Sequence, residues 1–179
     1  MRTLVLGGIR SGKSQWAEEA IADGLPPGQA VHYLAPGPAG HDDAAWAHRI
    51  AQHRSRRPEH WSTIETDDIA TQLRQSPGTP TLVDDLGTWL TGALDRTNAW
   101  DGGSVAAPVD DVLAAVGDFA SPLVLVSPEV GLTVVPATAA GRRFADELGS
   151  LNQRLARLCD RVVLVVAGQA VPIKPAGSR

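Results

Sequence analysis

The sequence predicts an α/β layered fold of the P-loop NTPase-like kind, a mostly parallel sheet flanked by helices. Short runs such as TLVLG, TLVDDL, PLVLVS and RVVLVVAG are continuously apolar rather than alternating, as strands buried on both faces of a parallel sheet are. Helical patterns separate these runs, which calls for right-handed crossovers. The first run also leads straight into GGIRSGKS, residues 7–14. That puts a glycine-rich loop at the carboxyl edge of the sheet, where such folds bind ligands.

Taken in order, residues 3–7 form the first strand, and Lys13 to Ala22 a helix that stops near Gly24, Pro26 and Pro27. AVHYLA (30–35) is the second strand, and the PGPAGHD stretch after it is a loop. Residues 43–55 read as a helix stopped by Pro58, WSTIE (61–65) as a short strand and 67–75 as another helix. TLVDDL (81–86) is a buried-type strand ending in acids, GTWLTGALD starts a helix, and NAWDGGSVAAP (98–108) is a flexible connection. A helix over roughly 109–119 and a strand at 122–127 follow. The segment 137–158 is a long amphipathic helix with Leu148, Leu151, Leu155 and Leu158 on one face. RVVLVVAG (161–168) is the last long strand, and VPIK adds a short edge strand. With 179 residues, no internal repeat and no low-complexity segment, the chain forms one domain.

Composition excludes some classes. Hydrophobic residues make up 43% and charged residues 20%, and 16 Lys+Arg against 20 Asp+Glu leave a net charge of −4. A general nucleic-acid binder would be basic, so no nucleic-acid partner is expected and any anion site is local. Cys159, the one cysteine, reads as a buried thiol late in a helix. It cannot build a disulfide framework within the chain, which fits a reducing cytosol. No apolar run approaches the roughly 18 residues of a membrane span, and the N-terminal apolar segment lacks a cleavage site. A cytoplasmic location is expected.

Gly7, Gly12, Lys13 and Ser14 match G-x-x-x-x-G-K-[ST] in full, with a strand before and a helix after. Across Gly7, Gly8, Ile9, Arg10, Ser11 and Gly12 the backbone can turn successive N–H groups toward phosphate oxygens. The helix that follows presents its positive end to the same anion. Lys13 reaches the β- and γ-phosphates, the Ser14 hydroxyl ligates Mg²⁺, and Arg10 is a possible further phosphate contact. The metal also calls for an acid at a nearby strand end. Asp84 and Asp85 both qualify; Asp84 is preferred because it directly follows the apolar run, while Asp85 also suits a helix cap. No N-K-x-D base-reading motif of a regulatory GTPase is present. The chain is short for a motor, so a kinase or nucleotidyl transferase acting on a small molecule fits its size.

RIAQHRSRRPEHWSTIE (49–65) narrows the choice. Arg49 and His53 share a helix face at a spacing of four, and His53 is followed by Arg54, Ser55, Arg56 and Arg57. This positive setting suits a triphosphate and disfavours the imidazolium, leaving a ring nitrogen free to attack phosphorus. The alternative is a solvated basic helix end with an exposed histidine.

GGIRSGKS together with RI-x-x-H-R-x-x-RP-x-x-W-x-T-x-E resembles the bifunctional adenosylcobinamide kinase / adenosylcobinamide-phosphate guanylyltransferase family of cobalamin biosynthesis. The likeness continues through LVDDLGTWLT, LVLVSPEVGLTVVP, GRRFADELGSLNQRLA and DRVVLVVAGQAVPIK, in order over nearly the whole chain. The resemblance implies phosphorylation of adenosylcobinamide with ATP or GTP. Transfer of GMP from GTP to adenosylcobinamide phosphate then follows, through a GMP-histidine intermediate. It assigns that histidine to His53, a base-reading role to Glu65, and nucleotide contacts to Pro36, Gly37, Arg54, Ser55, Arg56 and Arg57. It further implies a homotrimer. Pro36 stands where the family has a threonine, Asp85 where a cysteine is common, and Pro128 in SPEVG where an asparagine is usual. For Glu65 a plain surface acid is the alternative.

Trp16, Trp46, Trp61, Trp89 and Trp100 could form a platform for a corrinoid ring, but core packing is the expected job of most; Trp46 and Trp100 are the two nearest loops. Glu129 could orient a substrate hydroxyl or cap the next segment. A kinase of another small metabolite without a covalent histidine and a nucleotide-binding scaffold without turnover stay as competitors.

Overall fold

The apolar runs become strands because each can bury both of its faces. The structure is a computed structural model that describes residues 1–37 and 57–177. Among these residues one sheet is formed by β1 (Arg2–Gly7), β2 (Val31–Ala35), β3 (Trp61–Glu65), β4 (Thr81–Asp84), β5 (Leu123–Pro128), β6 (Arg161–Val166) and β7 (Gln169–Lys174). Their order is β3-β2-β4-β5-β1-β6-β7. Pairing is parallel from β3 to β6, and β7 returns antiparallel to β6. The helices are α1 (Lys13–Asp23), α2 (Ile69–Gln75), α3 (Leu86–Arg96), α4 (Ala106–Asp118) and α5 (Ala139–Leu158). The helix expected over 43–55 lies outside the described residues.

Successive strand residues point to opposite faces, and Leu4 and Val5 are both 0% exposed, so each face has a core of its own. On one face Leu4, Leu34, Val83 and Leu125 pack with Leu73, Trp89, Leu90 and Leu151 of the helices α2, α3 and α5, joined by Val112 and Val116 of α4. On the other, Val5, Tyr33, Leu82, Val126 and Val165 pack against Ala17 and Ile21 of α1. The leucine stripe of α5 behaves as expected: Leu148, Leu151 and Leu155 are buried and Leu158 packs against them. Burying each such side chain contributes about 1.5–3 kcal/mol relative to leaving it in water. Cys159 follows the last turn of α5 and is buried, which pushes its thiol up to about 12.

Three of the boundaries that differ from the sequence expectation have a clear physical reason. The strand expected to reach Gly168 stops at Val166, because Ala167 (φ 51°) and Gly168 (φ 76°) make the turn of a β6–β7 hairpin; positive φ at both central residues matches the twist of the flanking strands. The connection 98–108 is structured: Ala99–Asp101 is a 3₁₀ turn, and α4 already starts at Ala106. Pro108 falls in its first turn, where a missing N–H costs nothing. Lastly, β4 ends at Asp84, and Asp85 begins the next helix as its cap.

Candidate active site

Parallel register lines up the strand ends that build the site. Gly7 pairs with Pro128, Asp84 with Val126 and Ala35 with Glu65, so these residues share the carboxyl edge. β4 and β5 lie between β2 and β1, and α1 begins on the same edge at Lys13.

The loop over residues 7–12 is held by its own hydrogen bonds. Ser11 N–H donates to the Gly8 carbonyl at 3.3 Å, and buried Ser11 Oγ accepts from Lys13 N–H at 3.3 Å. Gly168 N–H donates to the Ser11 carbonyl at 2.8 Å, so the β6–β7 turn braces the loop from below. Gly12 has φ 92°, and a Cβ there would stand 3.1 Å from Gly168 Cα; the left-handed backbone and the close approach both require glycine. Gly8, Ile9 and Arg10 form an exposed outer lip. The Lys13 ammonium lies over the loop and donates to the Gly8 carbonyl at 3.4 Å. Gly12 caps α1 without a side-chain hydrogen bond, and beyond Lys13, whose N–H goes to Ser11 Oγ, the first-turn N–H groups of Ser14 and Gln15 can point at an anion.

Asp84 faces this loop. Its Oδ1 accepts from Ser14 Oγ at 3.2 Å and its Oδ2 from the Tyr33 hydroxyl at 2.5 Å. Burial raises the Asp84 carboxyl above its ordinary range and neighbouring Asp85 adds to this, while the Tyr33 and Ser14 hydrogen bonds and the Lys13 charge oppose it. Tyr33 is pushed far above a normal phenol by burial and then by the Asp84 charge. Asp85 takes the capping role: its Oδ1 accepts from Thr88 N–H at 2.8 Å.

The other expected site residues divide as follows. Pro36 is buried just past β2, and Gly37 N–H donates to Asp67 Oδ1 at 3.1 Å. Glu65 is exposed at the end of β3, beside Ala35. Arg57 is almost fully enclosed, with 8% of its side chain exposed. Its guanidinium lies 3.3 Å over the Tyr33 ring centroid, donates to Thr63 Oγ1 at 2.9 Å and stands 3.7 Å from Glu18 Oε1. His53, Arg54, Ser55 and Arg56 lie outside the described residues, as does Trp46. Trp61 and Trp89 are core residues. Trp16 and Trp100 pack partly against the core, Trp100 Nε1–H donating to Asp95 Oδ1 at 2.6 Å. Glu129 turns the loop after β5, accepting from Gly131 N–H at 2.6 Å, while its own N–H donates to the Gly7 carbonyl.

Two residues were missed in the sequence. Asp67 holds the backbone after β2 through Gly37, receives Arg96 at 3.0 Å and offers its carbonyl to Trp89 Nε1–H at 3.0 Å; its signal is a carboxylate just past a strand end. Tyr33 was passed over as a strand residue, although a buried tyrosine hydroxyl needs a partner.

Comparison with known proteins fits this geometry. The family model for cobinamide kinase / cobinamide phosphate guanyltransferase matches residues 3–173. The bifunctional adenosylcobalamin biosynthesis protein CobP of Pseudomonas aeruginosa is 43% identical, over 97% of this chain and 98% of that protein. The bifunctional adenosylcobalamin biosynthesis proteins CobU of Salmonella typhimurium and Escherichia coli are 36% and 35% identical, over 97% of this chain and 100% of each. Among solved structures, the assembled ATPase EscN of the enteropathogenic E. coli type III secretion system superposes with a TM-score of 0.55 at 12% identity. It matches 93% of this chain, which spans 43% of that one; at this distance the likeness speaks for the P-loop fold alone. Because the sequence match runs from the first strand to the last, this chain belongs to the cobinamide kinase / cobinamide phosphate guanyltransferase family and is an enzyme of that bifunctional kind.

Proposed function

We propose that both activities run on one phosphate loop, with GMP carried between substrates on His53. In the kinase step the aminopropanol hydroxyl oxygen of adenosylcobinamide attacks the γ-phosphorus of ATP or GTP. The bond to the β-phosphate breaks, and a nucleoside diphosphate leaves. In the guanylyl step a ring nitrogen of His53 attacks the α-phosphorus of GTP and pyrophosphate leaves. An oxygen of adenosylcobinamide phosphate then attacks the same phosphorus, the P–N bond breaks, and adenosyl-GDP-cobinamide forms. Splitting one transfer into two displacements is what a histidine nucleophile contributes.

The observation that carries this assignment is the Ser14–Asp84 hydrogen bond, which joins the start of α1 to the end of β4. The two are hard oxygen donors of the type Mg²⁺ takes alongside water and substrate phosphates. When bound, Mg²⁺ supplies neutralisation of phosphate charge. The N–H groups of residues 7–14, Lys13 and Arg10 hold the phosphates, and Pro36 and Gly37 line the nucleotide. Arg54 and Arg56 neutralise phosphate charge beside His53, and Ser55 contacts the nucleotide. Glu65, exposed at the end of β3, accepts from guanine N1–H and its exocyclic amine. Incubation with α-labelled GTP tests the scheme. An acid-labile, alkali-stable label on His53 is expected; an active protein that never acquires it would sink the covalent route.

The same proposal includes a homotrimer and a cytoplasmic location. Among the described residues no helix is long and apolar enough to cross a membrane. Val134 and Val135 are exposed around the same cavity as Ile173 of the edge strand β7, and Val171 of that strand is exposed too. An uncovered apolar edge invites pairing with another chain, and subunit contact gives this one a cover.

A further inference from the structure

We infer that Tyr33 is a positioning residue for the Asp84 carboxylate, and that Arg57 and Glu18 lock Tyr33 in place. The inference rests on Asp84 holding the metal, as proposed above. Tyr33 lies opposite Leu82 in the β2–β4 ladder, and Asp84, two residues further along β4, points to the same face. The tyrosine therefore reaches diagonally to the strand end and fills one oxygen of the carboxylate, Oδ2, at 2.5 Å. The other oxygen, Oδ1, is left turned toward Ser14 at 3.2 Å. A carboxylate at a strand end can rotate about its last torsion; with Oδ2 engaged, it presents Oδ1 to the phosphate loop.

Tyr33 cannot move away to release that oxygen. The guanidinium of Arg57 covers its ring at 3.3 Å and is tied to Thr63 on β3 and to Glu18 on α1. Glu18 is one helical turn beyond Ser14 and shares its face. The series Glu18–Arg57–Tyr33–Asp84–Ser14 thus begins and ends on α1, and much of it is shielded from water: Arg57 and Glu18 side chains are 8% and 11% exposed and Tyr33 is 2% exposed. Arg57 is then a brace for the acid rather than a contact to the nucleotide, although it follows the arginines around His53 in sequence. Partners that orient a metal ligand commonly contribute about 10–100-fold in metal affinity.

The test compares wild type, Tyr33→Phe, Arg57→Lys and Asp84→Asn. Mn²⁺ binding is followed by electron paramagnetic resonance with a non-hydrolysable GTP analogue present, and analogue binding is measured separately in EDTA. Tyr33→Phe keeps the ring and its stacking and removes only the hydroxyl. It is expected to raise half-saturating Mn²⁺ about 10-fold or more while metal-free analogue binding changes less than about twofold. Arg57→Lys loses the planar stack and is expected to fall between it and wild type. If Tyr33→Phe stays within twofold of wild type while Asp84→Asn loses the ion, the positioning role is overturned and the metal assignment stands. If Asp84→Asn binds Mn²⁺ like wild type, the metal assignment and this inference fall together. If Tyr33→Phe does not fold, Arg57→Lys decides: wild-type Mn²⁺ binding overturns the brace, and weakened Mn²⁺ binding with unchanged metal-free binding upholds it.

Discussion

Asp84 shows how a buried carboxyl group weighs on the stability of its own fold. Its carboxyl is raised above the ordinary 3.8 chiefly by burial, despite the donors from Tyr33 and Ser14. The folded chain therefore holds this proton more tightly than the unfolded chain does. Stability falls as pH rises from the ordinary carboxylate range through the raised folded value, and above it the deficit is constant. In metal-free protein, Asp84→Asn should remove that pH-dependent loss and raise the melting temperature at pH 7, by about 2–4 °C per kcal/mol recovered. Both transfer activities should drop at the same time, a trade of stability for function. Calorimetry across pH 4–8 checks it: a lower melting temperature at pH 7 would mean that the buried charge is not the dominant cost. At this scale the sequence was uneven. Lys13, Ser14 and Asp84 could be read from the motif and from where the apolar run ends. Asp67 and Tyr33 could not, because each acts through a partner distant in the chain: Gly37 is 30 residues from Asp67, and Asp84 is 51 from Tyr33.

At the scale of elements, the strands and long helices were legible because their periods are strong. Leu148, Leu151 and Leu155 repeat on one face, and Leu4 and Val5 of β1, buried on opposite faces, are both apolar. The turn at Ala167–Gly168 was not, since an alanine and a glycine after five apolar residues continue a strand until φ is known. Neither was the polar latch inside the α5 interface. Ser127 Oγ donates to Asn152 Oδ1 at 2.6 Å, and Asn152 Nδ2 donates to the Pro128 carbonyl at 3.0 Å. Both side chains are buried, so α5 is fastened to the end of β5, next to Gly7. The register Gly7↔Pro128 means that slack there reaches the phosphate loop. Asn152→Ala leaves the serine hydroxyl and the carbonyl without their partner. It should destabilise the protein by about 1–3 kcal/mol and weaken nucleotide binding. Urea unfolding with a fluorescent GTP analogue measures both, and a loss below ~0.5 kcal/mol would remove the latch from the account.

At the scale of the whole molecule, the fold class and the family were readable because motifs spread along the chain occur in one order. The outward apolar surface was not, because exposure of single valines and leucines has no period. Ile173 is 59% exposed on the β7 edge and Val134 is 91% exposed beside it. If this edge is covered by another subunit, Ile173→Asp should shift the mass seen by light scattering from three chains to one. An unchanged mass would move the contact elsewhere. In the proposed scheme one phosphate loop serves two transfers, of which one needs His53. This is tested most directly by measuring both rates in His53→Asn. Phosphorylation of adenosylcobinamide should stay within about threefold of wild type and guanylyl transfer should fall by at least about 10³-fold, as loss of a nucleophile does. Loss of both rates together, or retention of guanylyl transfer, would contradict it.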